Sequence, residues 1–397
     1  MNRPLYVNDF GIHCIWGGDK ENVFEKLTCG ERGVFTMHDV AGVMRPAATI
    51  EPDMLPRVEN AEFDNRVNRL SRAALDQMDN TVRHAVEKFG SDRVGIFIGS
   101  CDNGSESSLE ALKCFKETGK FPEGYKLEYQ CAEFPARYIA ERFGITGMCQ
   151  VHSTACASSA SAFVSARNNI YAGTCDAAIV GGVDIASLSV ILGFASLEAM
   201  SDRPTNPFSA NRSGLTLGDA AAYFVVTRES CPDLCRPGFE GMQVLGFGES
   251  ADADHITAPR ADGEGAYLAM SAALADAGLD ASDIGYINLH GTGTKLNDAM
   301  ESRAVNRIFG ENVPASSTKA ITGHTLGAAG ALEAAFCCLA LTHDGALPAH
   351  LYDGVMDPEL PALNLVKPGK TVPGLRYCIS NSFAFGGCNV SLVLGKK

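Results

Sequence analysis

Positive charge is scarce in this chain. Its 397 residues carry 33 Lys and Arg against 47 Asp and Glu, a net charge of −14. No basic stripe relieves that balance, which argues against nonspecific binding to nucleic acid or to an anionic membrane. Long apolar runs are also missing. Nothing approaches the stretch of about eighteen residues that a membrane span needs. Charges interrupt Met1 to Lys20, so no signal peptide is expected there. A disulfide framework is absent too. The fourteen cysteines are scattered along the chain, and several sit in apolar surroundings such as Cys337-Cys338, so a reduced, cytoplasmic setting is expected. Cys231 and Cys235 lie close together, but no second pair completes four ligands, and no metal site is expected.

Hydrophobic residues make up 46% of the chain and aromatics 8%, ample for a large core. Short apolar runs alternate with Ala-rich stretches, the pattern of an α/β fold. Strands are expected at 94–99, 177–183, 221–226, 243–249, 285–289, 377–381 and 389–394. Helices are expected at 66–88, 134–143, 157–172, 264–277, 299–309 and 325–343. The segment Cys231-Pro-Asp-Leu-Cys235-Arg-Pro237-Gly238 is dense in turn formers. It divides the chain into halves at 1–237 and 238–397. In each half a Ser/Thr-rich loop leads into a small-residue helix, so a duplicated unit would bring Cys156 and His324 to equivalent helix starts near the centre. Residues 101–135 lengthen the first half and read as an insertion that caps the site or builds a dimer contact.

The candidate chemistry begins at Cys156, in Thr154-Ala155-Cys156-Ala157-Ser158-Ser159. Small neighbours let the backbone turn sharply and leave the thiol uncovered. A helix start beside it is expected to lower the thiol pKa. Two histidines lie far downstream, in His290-Gly291-Thr292-Gly293-Thr294 and in Lys319-Ala320-Ile321-Thr322-Gly323-His324. A cysteine with histidines distant in sequence is a recognised nucleophilic pattern.

These motifs, with Gly181-Gly182-Val183 and Ser380-Asn381-Ser382-Phe383-Ala384-Phe385-Gly386-Gly387-Cys388-Asn389, resemble in order and spacing the β-ketoacyl-acyl-carrier-protein synthases of the elongating Cys-His-His class. The resemblance runs over nearly the whole chain. It implies the thiolase-like fold, five α-β-α-β-α layers from two pseudo-repeated halves. It implies decarboxylative condensation of an acyl group held on Cys156 with malonyl-acyl-carrier protein. His290 and His324 would stabilise the enolate, and Lys319 would pair with Glu333, with Glu301 a weaker candidate for that network. The backbone N–H groups of Cys156 and Phe385 would form an oxyanion hole. Thr292 and Thr294 would bind pantetheine, and Phe194 and Phe385 would line and gate an acyl pocket. The resemblance further implies no resident cofactor, since phosphopantetheine arrives on the carrier. The partners would be acyl carrier protein, malonyl and acyl thioesters, and a second copy of the chain in a homodimer, with a heterodimer with a related subunit as the alternative. Arg66 and Arg69, three apart on one helix face, and Arg203 fall where the family's carrier-docking residues lie.

Three departures from the family pattern bear on chain-length preference, one of them the segment Ser201-Asp202-Arg203-Pro204-Thr205-Asn206-Pro207-Phe208, shorter than the typical elongating enzyme's. Ala384 stands between the aromatics of the C-terminal loop where Gly is usual, and Cys388 replaces the usual Thr. Three other readings share parts of the pattern. A thiolase acting on CoA thioesters has the same fold. A noncatalytic chain-length partner of a heterodimer usually lacks the nucleophile. A Cys–His hydrolase would leave one histidine and Lys319 without a role.

Overall fold

The expected strands and helices assemble into a duplicated α/β unit. The computed structural model describes residues 3–40, 42–102 and 104–396. The outer ends of the two expected halves, 1–2 and 397, lie outside the described residues, as does Asn103 in the expected insertion. From one edge of an eleven-stranded sheet, the first half runs Cys149–His152, Val94–Gly99, Ala177–Asp184, Ala220–Thr227 and Leu5–His13. The second half, from the other edge, runs Asn364–Leu365, Pro314–Ser316, Tyr286–Asn288, Tyr377–Phe383, Cys388–Lys396 and Met242–Ala251. Leaving aside the two-residue edge strand, the halves match position for position. Three parallel strands are followed by two antiparallel ones in each. The halves meet where Leu5 and Tyr6 pair with Val244 and Gln243.

Helices Ser158–Ala172 and Ala329–Thr342 form the central layer. Each packs on its own half and also touches the strands of the other. Their close approach depends on small residues. A Cβ on Gly330 would lie 2.9 Å from the Ala160 Cβ and 2.9 Å from its backbone N. Ala331 also donates its N–H to Ser159 Oγ at 2.9 Å. Outer helices cover the far faces, Arg66–Leu75 on the first half and Glu264–Ala277 on the second. The result is five layers, with apolar clusters between them.

Several expectations need correction. The helix expected at 66–88 is broken by a 3-10 turn at Asp76–Met78 into Arg66–Leu75 and Asp79–Phe89. The Gln77 amide, at the break, bonds Ala73 O at 3.1 Å and both backbone groups of Ile12. Gly11 makes room for that approach, because a Cβ there would sit 2.0 Å from Ala74 O. The helix expected at 299–309 starts earlier, at Lys295. The central helices are each preceded by a 3-10 turn, Ala155–Ala157 and Leu326–Ala328. By that alignment the equivalent of Cys156 is Gly327, and His324 lies in the loop just before the turn. Within 101–135, helix Ser105–Thr118 packs on helix Leu188–Ser196.

Arg66 and Arg69 do not form a free basic face. Arg66 has a side chain only 11% exposed, with Asp219 at 2.5 Å and Glu106 at 2.9 Å. Arg69 is held by both oxygens of Asp64, at 2.6 and 2.7 Å. Asp219 is fully buried and also accepts the backbone N–H of Ile50 and Ala186. Both guanidiniums are therefore neutralised within the fold, and Arg66 acts as a structural cation. Removing one partner of a buried pair leaves an uncompensated charge and costs about 3–5 kcal/mol. Arg66→Ala should accordingly lower the unfolding free energy read by chemical denaturation by about that much. Unchanged stability with a raised KM for carrier protein would instead support the docking role.

Candidate active site

The nucleophile sits on a strained turn. Ala155 has φ 48°, in the left-handed region that non-glycine residues seldom occupy. Ser158 Oγ holds the turn, donating to Ala155 O at 2.6 Å and accepting the N–H of Thr154 at 2.9 Å. The equivalent residue of the other half, Leu326, has φ 53°. Its N–H donates to His324 Nδ1 at 3.2 Å. A neutral imidazole that accepts at Nδ1 carries its proton on Nε2. That Nε2 lies 3.0 Å from Cys156 Sγ, so its N–H points at the sulfur. The two strained turns thus aim a thiol and a proton donor at each other from opposite halves of the molecule.

His290 completes the group. Its ring stands edge-on to that of His324, with centroids 5.2 Å apart. The ligand atoms of Cys156, His290 and His324 all lie within 4.8 Å of one another, and all three residues are buried. Such a set could also grip a metal ion, but the hydrogen bond between His324 and the thiol gives it a use without one. Glu301 holds the His290 loop, accepting the backbone N–H of His290 and of Gly291, each at 2.7 Å. Its place is therefore to position that loop, and the ion-pair partner of Lys319 is Glu333, at 2.5 Å. Ser317 ties the two histidine-bearing segments together. It donates to Gly291 O at 2.6 Å and accepts the Lys319 N–H at 3.3 Å.

Electrostatics decide the protonation states. Burial, aided by the Lys319 charge, holds His290 and His324 well below the usual imidazole pKa. Both rings are therefore neutral at physiological pH, each with one proton to donate. Burial pushes the Cys156 thiol up to about 11, despite the opposing pull of Lys319 and of the backbone N–H groups of Phe385 and Cys156. The expectation of a thiol lowered by its helix start is thereby corrected. Cys156 is buried, and desolvation of the thiolate outweighs the helix terminus. Burial also raises Glu333 to about 6.

Two cavities meet at Cys156. One, of about 330 Å³, is lined by His290, His324, Thr292 and Thr294, with Lys295, Leu296 and Asn297 beside them. Thr292 Oγ1 and Thr294 Oγ1 are 2.9 Å apart and hydrogen-bonded. The other, of about 470 Å³, is mostly apolar and is lined by Ala155, Val190, Gly193, Leu197 and Leu326, with Cys101 and Asp102. Phe194 and Phe385 border both cavities, with ring centroids 5.8 Å apart. The loop behind Phe385 is fixed by Gly386 N–H to Ile256 O and Asp252 N–H to Gly387 O, each at 2.8 Å. Cys388, half-buried, donates no side-chain contact to the cavities, whereas Ala384 lines the first. Arg203 lies outside both cavities, on the surface.

Some functional residues escaped the sequence reading. Asp184, fully buried, accepts from Ser100 Oγ and from the backbone N–H of Cys101, Asp102 and Gly327, at 2.6–3.0 Å. It joins the nucleophile half to the histidine turn, and burial raises its carboxyl to about 7. A lone acid ending the otherwise apolar run Ala177–Asp184 was the available signal. His350, also buried, accepts the N–H of Ser317 at 3.1 Å and supports the Lys319 loop from beneath. Nothing in its local sequence marks it.

A compact, buried Cys-His-His site between two cavities is the arrangement of a thioester-condensing enzyme. Family models agree. The β-ketoacyl synthase N-terminal domain matches residues 17–231 and the C-terminal domain matches residues 242–352. A 3-oxoacyl-[acyl-carrier-protein] synthase 2 of Staphylococcus aureus (strain COL) is 31% identical, covering 100% of this chain and 99% of that protein. The ketosynthase ApeO, solved in complex with its chain length factor ApeC from Xenorhabdus doucetiae, superposes with a TM-score of 0.90 at 37% identity. That match covers 100% of this chain and 98% of the solved one. The ishigamide ketosynthase/chain length factor gives a TM-score of 0.89 at 26% identity, with full coverage of both. The chain belongs to the β-ketoacyl synthase family, and it is a ketoacyl synthase, an acyltransferase.

Because the thiol is raised and not lowered, alkylation of Cys156 by iodoacetamide should keep accelerating from pH 8 to about 10, as the thiolate fraction grows about tenfold per unit below the pKa. Peptide mass spectrometry resolves Cys156 from the other cysteines. A plateau reached near pH 8 would show a lowered thiol and contradict the burial effect.

Proposed function

We propose that this chain is the condensing subunit of a carrier-protein-dependent elongation system, paired with a second subunit of the same fold. The observation that carries this reading is the His324 Nε2–H aimed at Cys156 Sγ, with neutral His290 beside it.

The residues support a two-stage reaction. In the first stage an acyl thioester places its carbonyl oxygen against the backbone N–H groups of Cys156 and Phe385. One such donor contributes about 2.7–4 kcal/mol of barrier lowering. Cys156 Sγ attacks, the carrier thiolate leaves, and the thiol proton ends on the departing sulfur. In the second stage a malonyl thioester enters along Thr292 and Thr294, and its carbonyl oxygen accepts from His290 and His324. Loss of CO2 puts the electron pair on the adjacent carbon, which attacks the acyl carbonyl. The Cys156 thiolate then leaves, stabilised by His324 Nε2–H. Neutral histidines suit the second stage, since each must donate a proton without surrendering it. Lys319 supplies the positive field that favours the enolate.

The partners follow from the same reading. Malonyl and acyl groups arrive on the phosphopantetheine arm of an acyl carrier protein, so no cofactor resides in the site. Carrier docking falls to Lys295 and the exposed Leu296 at the cavity edge, with Arg203 exposed elsewhere on the surface. The helix that walls the apolar cavity shows Leu188 and Leu192 to solvent, an apolar face suited to a second subunit. The solved relatives paired with chain length factors favour a heterodimer over a homodimer, and the intact triad makes this chain its catalytic member. No helix of the described residues is long and apolar enough to cross a membrane. All fourteen cysteines are unpaired, and a reducing cytoplasm is the compartment we assign.

Native mass spectrometry tests both parts at once. After incubation with acyl- and malonyl-carrier protein, wild type should carry an acyl adduct on Cys156 and discharge it as 3-oxoacyl product. His290→Ala and His324→Ala should form the adduct but lose product by at least about a hundredfold, given the size of an oxyanion donor's effect. The complex should contain a second, related subunit. Equal loss of adduct and product in folded histidine variants would contradict the division of roles, and a stable self-dimer would overturn the heterodimer.

A further inference from the structure

Two opposite charges stand where the cavity that holds Thr292 and Thr294 opens to the surface. Its lining is exposed at Leu197, Glu198, Lys295 and Leu296. Glu198 and Lys295 are the charged members of that lining among the described residues. Each belongs to a different helix end, and each has an exposed leucine beside it.

Both charges oppose their own helix, and Glu198 opposes its backbone as well. Glu198 follows the C-cap of helix Leu188–Ser196. Its N–H bonds Ala195 O at 3.0 Å, and the next N–H, of Ala199, bonds Phe194 O at 3.2 Å. Those two bonds make a Schellman motif, in which the first residue past the cap is left-handed and usually Gly. Glu198 takes that place with φ 55°, at a steric cost that Gly avoids. A carboxylate there also meets the negative end of the helix dipole. Lys295 is the first residue of helix Lys295–Phe309, where the dipole is positive and an acid is favoured. Neither placement serves the fold. Positions that break local rules without a structural return are expected at functional sites.

The pantetheine arm reaches its carrier through a phosphodiester. That anion complements Lys295 and is repelled by Glu198. An acidic carrier surface next to the arm adds to the repulsion, and only a cation on the carrier offsets it. Charges at an interface select partners largely by penalising wrong ones. We propose that Glu198 is a carrier-selecting residue: it admits carrier proteins that present a basic side chain beside the point where the arm is attached, and rejects those that present an acid there. This rests on the reading that acyl groups reach Cys156 on a carrier.

The test uses octanoyl groups loaded on one acyl carrier protein, made as a panel in which each exposed position around the attachment point is in turn lysine or glutamate. Acylation of Cys156 is followed by intact mass. The lysine-to-glutamate ratio of kcat/KM is taken within each enzyme variant, so a folding defect cancels. In wild type at least one position should favour lysine by about fivefold or more, the size of an exposed charge effect. Glu198→Gln should bring that ratio close to one, and Glu198→Lys should reverse it. Glu198→Gly removes strain and charge together, so it should unfold no more easily than wild type while losing the ratio. Equal wild-type rates at every position would overturn the proposal, as would a ratio that survives Glu198→Lys. A Glu198→Gly variant less stable than wild type would also overturn it, by giving the side chain a structural role. If neither octanoyl-pantetheine nor any carrier acylates Cys156, the acyl-enzyme reading itself fails, and this proposal fails with it.

Discussion

The site depends on one buried ion pair. Lys319 and Glu333 are almost wholly enclosed and 2.5 Å apart, and the ammonium acts on Cys156, His290 and His324 alike. In a low-dielectric interior a fixed positive charge opposes the appearance of a second one. Burial is the larger cause of the histidines' neutrality and this charge adds to it, so each keeps a proton for the thioester oxygen. The same charge favours any negative charge that develops nearby, on the sulfur or on the enolate. Burial alone would also suppress the histidines' protonation, but it would suppress the anionic intermediates too. The ion pair separates those effects, opposing cations and favouring anions in one place.

Duplication supplies the geometry in which that field acts. Each half contributes a strained residue, Ala155 or Leu326, that opens the 3-10 turn before a central helix. One strained turn presents the thiol. The other uses its N–H to fix the tautomer of His324. Gly327 occupies the position equivalent to Cys156, where a Cβ would strike Asp184 Oδ2 at 2.6 Å. The two-fold resemblance is thus broken at the residue where the chemistry is asymmetric. Asp184 then fastens the halves by collecting donors from both.

Much of this was legible in the sequence, for a physical reason. Cys156, His290, Lys319 and His324 lie in short runs of Gly, Ala, Ser and Thr, because their loops must turn tightly and pack closely, and that requirement leaves a local signature. The alternation of apolar runs and Ala-rich stretches likewise announces the α/β layers. What stayed hidden depends on contacts between distant segments. Arg66 reads as a surface docking charge until Asp219, 153 residues away, closes on it. Cys156 reads as an activated thiol because a helix start is visible locally, whereas the enclosure that raises its pKa is built from both halves. The break at Asp76–Met78 also needs its partner strand, since Gln77 is turned by Ile12.

Neutrality of the paired histidines can be read directly. Nitrogen-15 spectra of histidine-labelled protein, taken from about pH 5.5 to 8 around the ordinary imidazole pKa near 6.5, report charge and tautomer for each ring. His290 and His324 should keep neutral-imidazole shifts across that range, with the His324 proton on Nε2. Titration of either ring near its ordinary value, or a His324 proton found on Nδ1, would contradict the role given to the Lys319–Glu333 pair and to the Leu326 N–H.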